Sequence, residues 1–461
     1  MVILICMIVI ALAGLAYLWS LPRIIEVEPA QGTDPVATGA PLVIHFSRPM
    51  QADSVLEKLV SDPPRSGEIT WEGNTLIFTP EQPWPNGQVV SVQLEAGARA
   101  AGFPFGATRQ AISWSFTIGH PRIVYLYPAD APAELYLLDP KNGEIQQLSD
   151  APGTILDYSV NATGSAIYYN TSLGDGGSSI YRMDRLTGET QLLLSCPEAL
   201  CRYPQISPQE DYLAYERTAL ARAGEANKPQ VWLMPQTVPG GDDGSIEYGE
   251  PFLAAGDHKT QQPHWTPTGL LTFYDYNRSE FVVQVPQGEE VARFPSQTGF
   301  PGAWDPAGQE YVIPEIYLNE IADPKILTDL QSVPSSRLLK YNLDGSMQDL
   351  TQVDYVEDSS PAFSPDGDKL AFARKFLDIT RWTPGRQIWL MSADGVQPIA
   401  ITQEPYFNHY DLVWSPDGTQ IAYVRFNKDS LIDPPELWLM RADGSGATRL
   451  ISGGYSPQWI P

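Results

Sequence analysis

Residues able to do chemistry are sparse in this 461-residue chain: it holds five histidines and three cysteines. His258, His264 and His409 lie in separate stretches, and no G-x-S-x-G nucleophile elbow occurs. Cys196 and Cys201 flank Pro197-Glu198-Ala199-Leu200. That spacing closes a small disulfide in an oxidising compartment and leaves two free thiols in a reducing one. As a metal site the pair lacks a second Cys pair or a nearby His. The carboxylates Asp157, Asp358 and Asp411, with His264, are candidates for a hard cation such as calcium, although no compact oxygen-ligand loop is present. The expectation is therefore a protein that is not an enzyme and has no cofactor, with a structural calcium ion as the alternative. With 55 acidic against 29 basic residues and a net charge of -26, phosphate-rich partners such as nucleic acid are excluded by like charge.

The elements that must position these residues are read from the N-terminus. Val2 to Leu21 is an uncharged apolar run, long enough as a helix to span a hydrocarbon core of roughly 30 Å. Residues 1–22 are assigned as a transmembrane anchor. A signal peptide is the competing reading, disfavoured by the length of the run and the missing basic leader. Arg23, the one flanking basic residue, would by itself put the following chain in the cytoplasm. The character of the domains outweighs it and places them outside. Small residues at Ala11, Ala13, Gly14 and Ala16 would also permit close approach of another helix.

Residues 23–119 alternate apolar and polar positions in short runs (PLVIHFS, GEITWEGNTLIFTP, GQVVSVQLEAG, ISWSFTI) separated by turn residues. The Gly73-Asn74 pair suits a tight hairpin turn, and Phe46, Trp71, Phe78 and Trp114 are expected in a sandwich core. The segments PLVIHFSRPM, GNTLIFTPEQPWPNGQVVSVQLEAGARAAGFPF and SWSFTIG resemble the bacterial Ig-like domain of S-layer and other surface proteins. That resemblance implies a spacer or adhesion module outside the cytoplasm.

From residue 120 to 461 one apolar motif recurs: ELYLLD, SIYRMD, QVWLMP, FVVQVP, RLLKYN, QIWLMS and ELWLMR start at 134, 179, 230, 281, 337, 387 and 436. Repeats of this period with four strands each predict a β-propeller. The first unit has three strands and the chain ends in a spare one, so their pairing would close a ring of seven blades, with six or eight as the alternatives. The fold class is thus all-β: an N-terminal helix, an Ig-like sandwich and a propeller. The Pro-Asp-Gly turns at 365–367 and 416–418 supply a fixed φ, a turn-capping carboxylate and a positive φ. The S-P-D-G-x-x-I/L-A-F/Y motif followed by I-W-x-M and D-G resembles the TolB-type propeller repeat, a family that includes periplasmic scaffolds, gating propellers of peptidases and a few lyases.

In such a meander the long insertions, Thr218 to Pro229, Ile316 to Ser336, Phe376 to Arg386 and Asn427 to Pro435, fall on one face. That face is the expected binding surface, with Tyr317, Arg381, Trp382, Tyr406, Phe407, His409 and Tyr410 as candidate contacts. Asp157, His264, Asp358 and Asp411 are expected near the channel mouth. The expected function is a membrane-anchored extracytoplasmic scaffold presenting this face to a protein or glycan partner at the cell envelope. A propeller-based polysaccharide lyase or hydrolase and an accessory subunit of a membrane complex remain the alternatives.

Overall fold

The computed structural model describes residues 21–460 except 34, 35, 37, 38, 82, 83, 103–105, 152, 173, 175, 221–226, 238–245 and 321–331. The expected anchor therefore lies, apart from its last residues, outside the described residues. Among the described residues no helix is long and apolar enough to cross a membrane. The chain divides into two compact units, one ending at Pro121 and one running from Arg122 to Ile460.

The first unit packs a four-stranded sheet, ordered Ile24–Glu28, Leu42–Phe46, Thr75–Pro80, Gly67–Glu72, with a three-stranded sheet of Leu59–Asp62, Val89–Leu94 and Ile112–Thr117. Alternation decides which side chains face inward: Leu42, Ile44 and Phe46 are buried, as are Val90, Val92 and Leu94. Phe46, Phe78 and Trp114 lie in this core, and Trp71 packs against it half-buried. Trp84 is enclosed as well, its indole N–H donating to the Ala40 carbonyl at 2.9 Å. In the 73–74 turn Gly73 takes φ +60° and Asn74 does not turn positive.

Among the described residues the second unit contains six sheets, one of them eight-stranded and spanning two blades, which together make seven antiparallel meanders. The innermost strands of blades 2 to 7 are Ile155–Val160, Ala199–Ile206, Thr260–Trp265, Ala303–Trp304, Val356–Phe363 and Phe407–Trp414. Blade 1 takes its innermost strand from the far end of the chain: Tyr455–Ile460 pairs antiparallel with Arg122–Tyr127. A single parallel bridge, Ser336 to Glu357, joins blades 5 and 6.

Two repeated contacts hold these sheets. First, a backbone N–H of a blade's third strand donates to a hydroxyl that follows the outer strand, in the linker or, for Thr260, at the opening of the next innermost strand. Leu135 reaches Ser149, Val231 reaches Thr260, Leu338 reaches Thr351 and Ile388 reaches Thr402, at 2.8 to 2.9 Å. Between blades, an innermost-strand tryptophan donates to a carbonyl of the preceding blade. Trp265 reaches Gln205 at 2.9 Å, Trp414 reaches Ala362 at 3.0 Å and Trp459 reaches Val413 at 3.2 Å. Blade 1 meets blade 2 where the Gln458 amide donates to the Tyr158 carbonyl at 3.1 Å and the Tyr158 hydroxyl donates to the Ser456 carbonyl at 2.6 Å.

Candidate functional site

Five of the innermost strands are kinked rather than straight. Their pairing registers slip between Arg202 and Gln205, Gln261 and His264, Ser359 and Ala362, Tyr410 and Val413, and Tyr455 and Gln458. Inside each slip a non-glycine residue adopts the left-handed region: Tyr203, Gln262, Ser360, Asp411 and Ser456, all with φ of 50 to 57°. Such conformations cost of order 1 to 3 kcal/mol each and persist only where the surroundings over-determine them. Proline follows four of the five, as Pro204, Pro263, Pro361 and Pro457. A residue without an N–H fits the one place in a ladder where no donor is needed. The x-Pro-x-aromatic spacing at Pro263, Pro361 and Pro457 was a sequence signal for three of these bulges that the repeat motifs alone did not reveal.

On the insertion face the bulges of blades 6 and 7 help to form a cavity of about 620 Å³. Its walls come from Phe300 and Pro301 in the linker into blade 5, Pro314, Ile316 and Ser336 of blade 5, Glu357 and Ser359 to Pro361 of blade 6, Arg386, and His409 to Leu412 of blade 7. Blade 5 contributes through unusually long strands: Glu310–Glu320 pairs with Ser332–Asn342 over their full length, extending the hairpin on this face.

The structure brings His409, Tyr410 and Asp411 to this cavity and scatters the other mouth candidates. His409 is buried, its Nδ1–H donating to the Arg386 carbonyl at 2.7 Å, with Nε2 3.5 Å from Glu404. That contact and the Arg425 guanidinium hold the Glu404 carboxyl down to about 2. Asp358 does not open to solvent at the mouth. It is wholly buried, accepting two bonds from Arg374 at 2.7 and 2.6 Å and one from the Thr351 hydroxyl at 2.6 Å. Asp157 is bound by Arg202 at 2.8 and 3.0 Å. His264 stacks near Tyr311, ring centroids 5.3 Å apart, its Nδ1–H donating to the Gln262 carbonyl and its buried Nε2 without a partner. Burial pushes its imidazole down to about 4.

Asp411 alone keeps an uncommitted carboxylate: among the described residues neither a donor nor a cation pairs with it. It is exposed to solvent within the concave wall of the cavity, where neighbouring protein atoms partly enclose it. That enclosure pushes its pKa up from 3.8 to about 6.

Of the expected contacts further out, Trp382, Tyr406 and Tyr317 are exposed. Lys375 lies 5.4 Å from the Trp382 ring centre, and the Arg337 guanidinium lies 5.9 Å from that of Tyr317. Phe407 and Arg381 serve local packing. Arg425 covers Phe407 at 3.9 Å, while Arg381 covers Phe376 at 3.9 Å and binds Asp378 at 2.7 Å. Cys196 and Cys201 are joined in a disulfide at the blade 2 to blade 3 linker. Among the described residues no three His, Cys, Asp or Glu side chains converge to hold a metal ion.

Residues 20–118 match the family described as a bacterial Ig-like domain. The chain is 38% identical over 128 residues to the Tol-Pal system protein TolB of Anaeromyxobacter dehalogenans strain 2CP-C, a match covering 26% of each protein. A bacterial Ig-like domain is followed here by a TolB-like β-propeller region. The chain spans about a quarter of the length of the curated relatives it matches. Solved structures similar to it include the β-propeller domain of the Trilobed protease from Pyrococcus furiosus, at 12% identity and TM-score 0.44, covering 64% of this chain and 84% of that one. Dipeptidyl peptidase 4 of Porphyromonas gingivalis aligns at 11% identity and TM-score 0.42, covering 72% of this chain and 51% of that one.

Proposed function

We propose that this protein is a non-catalytic binding protein outside the cytoplasm, held at the membrane by its N-terminal apolar segment, whose propeller receives a partner protein on the insertion face. The observation that carries the reading is the set of exposed apolar side chains in the loops of the insertion face, of which Phe300 and Ile316 line the cavity. Phe300, Ile316, Tyr317, Ile379, Trp382, Tyr406, Leu431 and Ile432 all stand in linkers, insertions or the extended hairpin of this face, with Ile432 94% exposed. Large apolar groups exposed on a loop face suit a surface that a partner covers. A rigid ring carrying variable loops is a scaffold on which binding residues collect. The disulfide supports an oxidising compartment.

The test compares the full chain, solubilised from membranes, with the variant Trp382→Ala, Leu431→Asp, Ile432→Asp in cross-linking capture from the envelope fraction. Loss of a specific captured protein in the variant, with unchanged thermal unfolding, supports the reading; identical capture by both refutes it. Thiol labelling on intact and permeabilised cells tests the location. Cys196 and Cys201 are expected to react only after reduction, and labelling without reduction would place the propeller in the cytoplasm.

A further inference from the structure

We propose that the mouth cavity receives a basic side chain of the partner polypeptide, an alkylguanidinium or alkylammonium group whose charge is met by Asp411. This rests on the reading of the insertion face as a binding surface and names the chemistry that it selects. The other charged groups of the cavity are already matched: Arg386 binds Glu357 at 2.9 Å, and His409 donates to a backbone carbonyl. Asp411 is left with a full charge and no counter-ion, on a backbone held at φ +50° that sets it among the residues lining the cavity.

The walls suit such a group. Pro301, Ile316, Pro361 and Leu412 offer apolar surface to a methylene stem, the part of a long basic side chain that packs against apolar neighbours while its head keeps its charge. A volume of about 620 Å³ holds the side chain with some flanking backbone and lies in the range of specific ligand pockets. One carboxylate satisfies an organic cation, whereas a bare divalent ion such as calcium collects six or more oxygens.

The groups facing Asp411 set the pH response. Tyr410 lies beside it, and Tyr158 across the blade 1 to blade 2 contact keeps its hydroxyl bonded to the carbonyls of Val124 and Ser456. The Glu357–Arg386 pair and His409 complete the cavity. Because Asp411 in the free protein takes up a proton near pH 6, a cationic occupant must compete with that proton. Binding therefore weakens as the pH falls through about 6.

The experiment titrates the full chain, by calorimetry, with a pool of N-acetylated pentapeptide amides carrying arginine at the centre and randomised flanks. An equal pool with citrulline, the neutral isostere, is the comparison. The expected result is at least tenfold weaker binding of the citrulline pool. In Asp411→Asn the two pools bind alike, at the weaker level. Asparagine tolerates the same positive φ, so the variant keeps the fold, and its unfolding curve checks this. Equal affinity of both pools for the native protein, undiminished arginine preference in Asp411→Asn, or no binding of either pool each overturns the inference. The first outcome leaves the binding-surface reading standing. The last removes that reading too only if the rim variant above also captures the same partners as the native chain.

Discussion

Acidification should weaken the propeller through His264, and the size of the effect follows from its surroundings. Its Nδ1–H is committed to the Gln262 carbonyl at 3.1 Å, so in the neutral ring Nε2 carries the lone pair, and that atom is buried without a donor or acceptor. Protonation would create a buried N–H and a positive charge with nothing to receive either. A pKa lowered from 6.5 to about 4 means that the unfolded chain binds a proton in the window between these values and the folded chain does not. Stability is complete above the unfolded pKa and falls as the pH drops through the window. At about pH 4.5 the loss is roughly 2.5 kcal/mol, at ~1.4 kcal/mol per unit. This is an upper figure, because part of the residue reaches solvent. Urea unfolding followed by tryptophan fluorescence at about pH 7.5 and about pH 4.5, for the native chain and His264→Asn, isolates the contribution. The asparagine amide can still donate to Gln262, and it cannot be protonated. The native chain should lose more stability between the two pH values, by roughly 1.5 to 2.5 kcal/mol. Equal losses in the two proteins would refute the argument that burial keeps this ring neutral.

Replacing Arg374 by Met should destabilise the propeller by about 3 to 5 kcal/mol, since it strands the fully buried Asp358 carboxylate; Asp358→Leu with Arg374→Met should recover most of that loss in denaturant titration. Cys196→Ser with Cys201→Ser should cost about 2 kcal/mol, the chain-entropy value for so short a loop, and reduction of the native protein should lower its urea midpoint by the same amount. Trp459→Phe breaks the Val413 bond that joins blade 7 to blade 1 and should cost about 1 kcal/mol beyond its lost area. Trp304→Phe, whose indole N–H has no partner, should not show that excess; similar losses in calorimetric unfolding would remove the inter-blade bond from the account.

The blades were legible because each repeats one hydrophobic alternation and one turn chemistry. Asp366 accepts from the Ser364 hydroxyl at 2.5 Å and from the Asp368 N–H at 3.1 Å, and Gly367 sits at φ +77°, as a Pro-Asp-Gly turn requires. The fates of the acids were not legible in the same way. Asp358 and Asp411 lie on the innermost strands of adjacent blades, but the registers make His409 the counterpart of Asp358 and place Asp411 at the kink, where blade 6 has Ser360. Asp358 is neutralised by Arg374 from the neighbouring strand, whereas Arg425, the equivalent arginine of blade 7, is registered opposite His409 and not Asp411. That guanidinium binds Glu404 and Glu436 instead, at 2.5 and 2.9 Å. Periodicity identifies equivalent positions; which partner an arginine chooses depends on side chains from linkers whose spacing does not repeat.

The bulges connect this architecture to the site. Each slip in an innermost strand turns its backbone out of the ladder, and the carbonyls of Gln205, Ala362 and Val413, two residues beyond the strained positions, accept the tryptophan N–H of the next blade. A net worth of about 1 kcal/mol for each such bond is comparable with the strain of about 1 to 3 kcal/mol at a left-handed non-glycine residue, so the kinks and the ring contacts sustain one another. The same kink sets Ser360 and Asp411 among the residues lining the cavity. Straightening the strand at Asp411 would thus both loosen the seam between blades 7 and 1 and remove a carboxylate from the mouth. A substitution there that demands a negative φ, such as Asp411→Val, should lower stability and binding together, whereas Asp411→Asn separates the two.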